Sequence, residues 1–277
     1  MAGNAALLLA GISGSGAAGN SLAYFAPYGN AAPSSAAAAP PAGFLDAGWV
    51  SEKGLAAKVK ETSKDIRGYG SFASIRKVVT ASDTTFDLDF LESNTTSLSI
   101  YHRKPLTGTG SLTSSAGLIS FGTGAASMPS YAAIFDLVDG VNLLRAYCPQ
   151  VQVSDRGDFN VAAGDVVSYP VVLAAYPDTA GNSVYWYYSL DALILPTLTS
   201  VAPTTSGTAG GTAVTATGTH LASVNAVTVG GTAATAVSVL SNTSVSFVTP
   251  AKTAGTQAVV LTSPAGSSIA VVNITYS

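Results

Sequence analysis

Two short acidic pairs are the residues of this chain whose type and spacing most resemble a catalytic site. Asp87 and Asp89 lie two positions apart, and Asp136 and Asp139 lie three apart. Paired carboxylates act as acid and base in glycoside hydrolysis, as in a glycan hydrolase with an accessory domain. Residues at i and i+2 of a strand also share one face, so the spacing fits a solvated strand surface equally well. Because acidic pairs of this kind occur by chance, we predict that the chain is not an enzyme.

Nucleophilic and metal-binding side chains are scarce. Cys148 is the single cysteine, so an internal disulfide is excluded. Its apolar neighbours predict a thiol buried on a strand that faces a core. His102 and His220 are the only histidines, too few for the usual zinc clusters. We therefore expect no metal and no cofactor.

A glycine-rich stretch near the start, AALLLAGISGSGAAG at residues 5–19, has the G-x-G-x-x-G spacing of a dinucleotide-binding turn. Such a turn needs a following helix and an acidic residue about 20 positions further on. Pro27 and Gly29 leave no room for that helix, and Asp46 is the first carboxylate. A secretion signal is also disfavoured, because no Lys or Arg precedes the short apolar run. We predict a flexible arm over residues 1–23.

The charge of the chain is low and unevenly placed. Only 10% of the residues are charged and the net charge is −3, against about 25% charged residues in a typical domain. This balance gives no electrostatic reason to bind nucleic acid. From Pro196 to the end there is no Asp or Glu, and Lys252 is the only charged side chain. The shift predicts a domain boundary at residue 196.

The region after this boundary consists of short segments rich in Val and Thr. Gly, Pro, Asn or Ser separates them at intervals of about ten residues, which is typical of an antiparallel sandwich. The segments are TAVTATG (212–218), AVTVG (226–230), AATAVSVL (233–240), TSVSFVT (243–249), TQAVVLT (256–262) and SIAVVNITY (268–276).

The amino-acid sequence of this region, including SVAPTTSGTAGGTAVTATG at 200–218, resembles that of the IPT/TIG family of immunoglobulin-like domains. The resemblance covers nearly all of residues 198–277. It implies an Ig-like β-sandwich over residues 196–277 that binds a surface or spaces other domains, without catalysis. A proline that ends the first strand and glycines that let the chain reverse are expected to have structural roles: Pro203, Gly207, Gly210 and Gly211.

Residues 24–195 differ from the C-terminal region in composition and in the pattern of predicted elements. The Pro/Ala/Ser-rich stretch 24–44 predicts an extended arm, because its prolines interrupt every helical turn. Residues 43–55 predict a turn and a strand, and residues 57–73 predict a long loop. ESNTTSLSIYH (92–102) predicts a short helix with Ser93 or Asn94 as its N-cap. Strands are predicted at 74–80, 84–92, 132–140, 141–155, 165–176 and 183–190, with Asp83 in the turn between the first two.

The order of several motifs resembles the major tail tube proteins of long-tailed, siphovirus-like bacteriophages. These motifs are APYGNAAP, FLDAGWVSEKGL, KDIRGYG, RKVVT, TTFDLDFLESN and SLSIY. The resemblance covers residues 24–103 by motif and 130–195 by pattern. Two departures are Tyr69, where the family usually has Trp, and the Gly/Ser/Thr-rich stretch 107–124, which does not align.

This resemblance implies a mostly β chain, with a tail-tube-type β-sandwich or barrel and one short helix over residues 24–195. The implied function is structural: a virion subunit whose rings, hexameric in the family, stack into a tube that conducts DNA. Its implied partners are other copies of itself, a tape-measure protein, and tail terminator and baseplate proteins. DNA would pass without specific binding, and residues 196–277 would contact host surface glycans. The protein would be assembled in the host cytoplasm and lie in the phage tail.

Two sets of charged residues are site candidates within such a tube. Basic residues of the 57–73 loop are expected to contact the next ring: Lys58, Lys60, Lys64 and Arg67. Alternating acidic residues are expected to face the lumen and repel DNA phosphates: Asp83, Asp87 and Asp89. A solvated outer face explains these acidic residues equally well.

The alternative function is a secreted bacterial surface or adhesion protein with residues 196–277 as its binding module. The two functions differ at the N-terminus. A secreted protein would be cleaved near residues 18–23, whereas a tube subunit would keep Met1 or Ala2.

Overall fold

A computed structural model describes residues 22–69, 72–124, 127–139, 141–159, 164–268 and 272–277. The glycine-rich stretch 5–19 and nearly all of the predicted arm 1–23 lie outside these residues. The described chain is mostly β, as predicted, and forms two compact units. The N-terminal unit contains residues 22–138 and 143–188, and the C-terminal unit contains residues 189–277 together with Asp139, Val141 and Asn142.

The N-terminal unit is built on one eight-stranded sheet with the order β2-β1-β7-β8-β9-β4-β3, in which β10 also pairs with β8. A separate two-stranded hairpin, β5-β6, lies within the stretch 107–124. The elements are β1 (Ala23–Pro27), β2 (Leu45–Asp46), β3 (Ala56–Arg67), β4 (Ser74–Phe90), α1 (Thr95–Tyr101), β5 (Ser114–Ser115), β6 (Leu118–Ile119), β7 (Tyr131–Asp139), β8 (Asn142–Arg156), β9 (Tyr169–Tyr176) and β10 (Tyr185–Ser189).

The large sheet curls until its core is nearly enclosed. Phe25 of β1 and Phe90 of β4 meet edge to face with ring centroids 5.9 Å apart, although three strands lie between β1 and β4. In a flat sheet those strands would be roughly 19 Å apart. The segment after β2 completes the enclosure, because the Ala47 N–H donates to the Ala23 carbonyl and Val50 forms a bridge with Phe90.

Strand β1 shows that the predicted extended arm over residues 24–44 is wrong at its start. Residues Ala23–Pro27 pair with β2 on one side and β7 on the other. Phe25 packs in the main core, and Tyr24 and Ala26 pack in a second apolar cluster. These apolar residues precede the proline-rich part, so nothing prevents them from joining a ladder.

The predicted loop over residues 57–73 is also wrong, since most of it is strand β3. The predicted break at Asp83 does not occur either, because β4 runs without interruption from Ser74 to Phe90. Both strands are exposed over most of their length. Polar residues on both faces hid β3 and the continuity of β4 from a search for alternating apolar residues.

The short helix was predicted correctly, and Asn94 caps it. Its Oδ1 accepts hydrogen bonds from the backbone N–H groups of Thr96 and Ser97, at 2.9 and 2.8 Å. The Ser97 hydroxyl accepts one from the Asn94 N–H in return, which completes a capping box. At seven residues α1 is short, and no helix of the described residues is long and apolar enough to cross a membrane.

The C-terminal unit is a sandwich of two sheets around its own apolar core. One sheet has the order β11-β13-β17-β16, and the other has the order β12-β20-β18-β14-β15 with β19 beside β18. A single 3₁₀ turn, Asp191–Leu193, precedes the first strand. The strands are β11 (Thr197–Ala202), β12 (Thr205–Ser206), β13 (Ala213–Thr219), β14 (Ala226–Val229), β15 (Thr232–Ala233), β16 (Thr235–Ser241), β17 (Ser244–Val248), β18 (Gly255–Ser263), β19 (Gly266–Ser267) and β20 (Val272–Tyr276).

The four motif residues of this unit lie at its first turns. Strand β11 ends directly before Pro203. The Gly210 N–H donates to the Gly207 carbonyl at 2.9 Å, and the Gly211 N–H donates to the Thr249 carbonyl at 2.9 Å. Gly210 and Gly211 have φ of +72° and +83°, in the region that favours glycine.

Replacing Gly210 with alanine is expected to lower the free energy of unfolding by about 1–3 kcal/mol. The φ is unfavourable, and the added Cβ would lie 2.5 Å from the carbonyl carbon of Pro250. Gly207→Ala is the matched control, because φ there is ordinary and nothing lies within 4 Å of the added carbon. Urea unfolding of the full chain measures both variants. Equal losses of stability would contradict this explanation of the motif.

Candidate assembly site

The long hairpin of β3 and β4 extends beyond the sheet. Strand β4 pairs with β9 only from Thr84 to Phe90, whereas its pairing with β3 continues to Ser74. We call residues 60–83 the projecting ribbon. Along residues 60–67 and 74–83, neither strand pairs with a third strand of the described chain, so both outer edges carry unpaired backbone groups. At about 3.3 Å per residue, the ribbon extends on the order of 30 Å.

The projecting ribbon exposes apolar side chains as well as backbone. Tyr69 and Phe72 near its tip are fully exposed, and Ile66, Ile75 and Val79 are about half or more exposed. A two-stranded hairpin alone is marginally stable in water, and free edges readily pair with another strand. The ribbon therefore has the properties of a contact surface.

The ribbon is more basic than the rest of the chain. Of the chain's 12 Lys or Arg and 15 Asp or Glu, five basic and three acidic residues lie within residues 60–83. The remaining chain is therefore acidic. Two of the predicted inter-ring residues, Lys64 and Arg67, lie on β3 in the outer part of the ribbon, and both are exposed.

The predicted acidic residues share one face with the other two predicted basic residues. Lys60 lies directly opposite Asp83 in the ladder. The Lys58 ammonium forms an ion pair with Asp87, and the Lys53 ammonium lies 3.2 Å from Asp89. The structure thus brings Lys58 and Lys60 together with the predicted acidic residues at the base of the ribbon, whereas Lys64 and Arg67 lie apart from them. Sequence reasoning missed Lys53.

The base of the ribbon is held by the two longest motifs of the N-terminal unit. The Ser51 N–H donates to the Asp89 carbonyl, and the Trp49 N–H donates to the Glu92 carboxylate at 3.3 Å. Gly48 has a φ of +79°, and a Cβ there would lie 2.1 Å from a Glu92 carboxylate oxygen. FLDAGWVSEKGL and TTFDLDFLESN therefore position each other, and glycine is required where they approach most closely.

A buried ion pair, also missed from the sequence, holds the proline-rich segment against the sheet. The Arg145 guanidinium binds both carboxylate oxygens of Asp136, at 2.6 and 2.7 Å. Its Nη1 donates to the carbonyls of Ser35 and Ala38, at 2.9 and 2.7 Å. Both charged side chains are almost completely buried. The only sequence signal is a charged residue in the middle of each of two apolar strands.

Nearly all of the chain matches two known protein families. The family described as "Phage tail tube protein" matches residues 14–197, and the IPT/TIG domain family matches residues 196–277. The chain belongs to the phage tail tube protein family. The fold class and both resemblances predicted from the sequence are confirmed.

Comparison with whole proteins adds little to this assignment. No curated protein matches the tail tube protein. Among solved structures, gamma-CGTase from Alkalophilic bacillus clarkii is 14% identical, with a TM-score of 0.27 over 52% of this chain and 24% of that one. SGBP-B from a xyloglucan utilization locus in Bacteroides uniformis is 13% identical, with a TM-score of 0.26 over 51% and 47%. This chain spans about a quarter of the first structure's length.

Three of the side chains whose types could do chemistry are paired or buried in the structure. Asp136 is paired with Arg145. Cys148 is buried as predicted, and burial raises the pKa of its thiol. His220 Nδ1 lies 2.8 Å from a carboxylate oxygen of the buried Asp191, within the C-terminal unit. Among the described residues, no group of three or more His, Cys, Asp or Glu side chains is placed to hold a metal ion.

Proposed function

We propose that this tail tube protein forms hexameric rings that stack into a tube, and that the projecting ribbon contacts another copy of the chain in the next ring. The ring number comes from the family resemblance. In this proposal the subunit is structural, and the tube conducts DNA during ejection.

The observation that carries the proposal is the ribbon with both edges unpaired among the described residues and with apolar side chains exposed near its tip. A surface of this kind is a liability in a monomer, but it is covered in a polymer of identical subunits. Charge supports a second copy as the partner, since the ribbon has an excess of basic residues and the rest of the chain has an excess of acidic ones.

We further propose that the face carrying Asp83, Asp87 and Asp89 lines the tube. Three lysines at the base of the ribbon balance these carboxylates: Lys53, Lys58 and Lys60. A wall with no excess of positive charge gives DNA phosphates no net attraction. DNA would therefore pass without specific binding, as the sequence predicts.

Each of the two domains predicted from the sequence would have its own function. Residues 24–195 would form the tube and contact the tape-measure, tail terminator and baseplate proteins. Residues 196–277, which match the IPT/TIG family, would contact host surface glycans from the virion tail. Assembly would take place in the host cytoplasm.

Negative-stain electron microscopy of the purified protein at increasing concentration tests this function. We expect rings or tubes of constant width, because each subunit offers the same ribbon to the next. A chain that stays monomeric at high concentration would overturn the proposal.

A further inference from the structure

A small cavity in the N-terminal unit is lined by three segments of the chain, two of which contribute basic side chains. It has a volume of about 110 Å³. His102, Arg103 and Lys104 follow the end of α1, Thr123 lies in the segment before β7, and Arg156 ends β8. No Asp or Glu side chain is among the described residues that line it.

The three permanent cations of this cavity are not neutralised. None of them forms an ion pair with another described residue. Each instead donates to a backbone carbonyl: Arg103 to Ser154 at 3.2 Å, Lys104 to Gly122 at 2.8 Å and Arg156 to Tyr101 at 3.2 Å. A guanidinium has five N–H donors and an ammonium has three. Most of their donors therefore remain after these bonds, which hold the charged groups in place.

Arg103 adopts an unusual conformation at the wall of this cavity. Its Nε is buried and has no hydrogen-bond partner among the described residues. Its φ of +53° lies in the left-handed region, which is uncommon for a residue other than glycine. This conformation places the Arg103 guanidinium, whose Nη2 donates to the Ser154 carbonyl, at the wall of the cavity.

The electrostatics of the neighbouring histidine agree with a positive potential. Burial lowers the pKa of His102, and the charges of Arg156 and Lys104 lower that pKa further. A bound anion would oppose the effect of those two charges.

We propose that this cavity binds a tetrahedral oxyanion, namely a phosphate group. A single water needs about 10–15 Å³ of such space, so the cavity has room for a phosphate. Guanidinium groups match phosphate geometry and form strong charge-assisted hydrogen bonds with it. The Thr123 hydroxyl adds a neutral polar group to the wall. The phosphate is either free in solution or part of a nucleic-acid backbone.

Phosphorus-31 NMR line broadening tests the proposal with the full-length protein and two probes. The first probe is inorganic phosphate, with sulfate as a competitor and sodium chloride at matched ionic strength as a control. The second probe is a short single-stranded oligonucleotide. We expect saturable broadening of at least one probe that chloride does not reverse. Broadening of the first probe alone assigns the site to free phosphate, and broadening of the second alone assigns it to a phosphodiester.

Variants show whether the broadening comes from this cavity. Arg103→Gln and Lys104→Gln are each expected to weaken binding at least about tenfold, because each removes a charge-assisted donor. Lys252→Gln is the matched control, since the Lys252 ammonium also donates to a backbone carbonyl, that of Gly230, but Lys252 does not line the cavity. Lys104→Gln keeps the test valid if Arg103→Gln does not fold. Absence of saturable binding with both probes, or binding that survives in a folded cavity variant, would overturn the proposal.

Discussion

A chain without its projecting ribbon is expected to fold and to form no tubes. The variant replaces residues 61–82 with Asn-Gly, so that the paired residues Lys60 and Asp83 flank a two-residue hairpin turn. No residue of either main core lies in the deleted segment, so the thermal midpoint should stay close to that of the full chain. Assembly should be lost, because the deletion removes the unpaired edges and the exposed apolar tip. Sedimentation and negative-stain microscopy measure this loss.

A double substitution at the tip of the ribbon tests the apolar contact without shortening the chain. Tyr69→Ser with Phe72→Ser keeps the ribbon but removes its apolar tip. Burial of one large apolar side chain is worth about 1.5–3 kcal/mol, so the critical concentration for assembly should rise by tenfold or more. Leu240→Ser is the control, since this exposed leucine lies in the C-terminal unit. Tubes that form normally from the shortened chain would exclude the ribbon as the contact.

Replacing Arg145 with methionine is expected to cause a large loss of stability in the N-terminal unit. The change leaves the Asp136 carboxylate buried without its partner and removes the donor to two carbonyls. Breaking a buried ion pair from one side costs about 3–5 kcal/mol. For a unit of this size the thermal midpoint should fall on the order of 10 °C. Limited proteolysis should also become faster within residues 28–44.

A double variant distinguishes an unpaired charge from lost packing. Asp136→Leu with Arg145→Met removes both charges and should recover part of the stability, because an apolar pair of similar volume replaces a buried ion pair at little cost. Arg76→Met, at an exposed arginine, should change the stability by less than about 0.5 kcal/mol. A fall in the Arg145→Met midpoint no larger than that of Arg76→Met would refute this role for Arg145.

The strands of the C-terminal unit could be predicted because their pattern carries the needed information. In Ala213–Thr219 buried and exposed residues alternate along most of the strand, and Gly or Pro residues mark most of the turns between strands. The capped helix was predictable for a similar reason, since Asn94 and Ser97 are three residues apart and act within one turn. In both places the signal is local.

Most of the projecting ribbon could not be predicted in this way, and only its residues 74–80 were predicted as a strand. It is exposed on both faces over most of its length, so the subunit itself imposes no alternation of apolar and polar residues. The polar run around Asp83 therefore resembles a turn. The role of Arg145 was hidden for a different reason, because its carbonyl partners lie more than 100 residues away. A contact between residues so far apart in the sequence leaves no signal in the local sequence pattern.

Hydrogen–deuterium exchange of the ribbon amides, compared between dispersed subunits and assembled tubes, tests the central claim most directly. The claim is that a neighbouring copy of the chain covers the ribbon. In subunits the amides of residues 60–69 and 72–83 should exchange quickly, since a hairpin alone is marginally stable. In tubes their exchange should slow by at least about 100-fold, which corresponds to roughly 2.7 kcal/mol of added protection. Equal exchange rates in tubes and subunits would contradict the account.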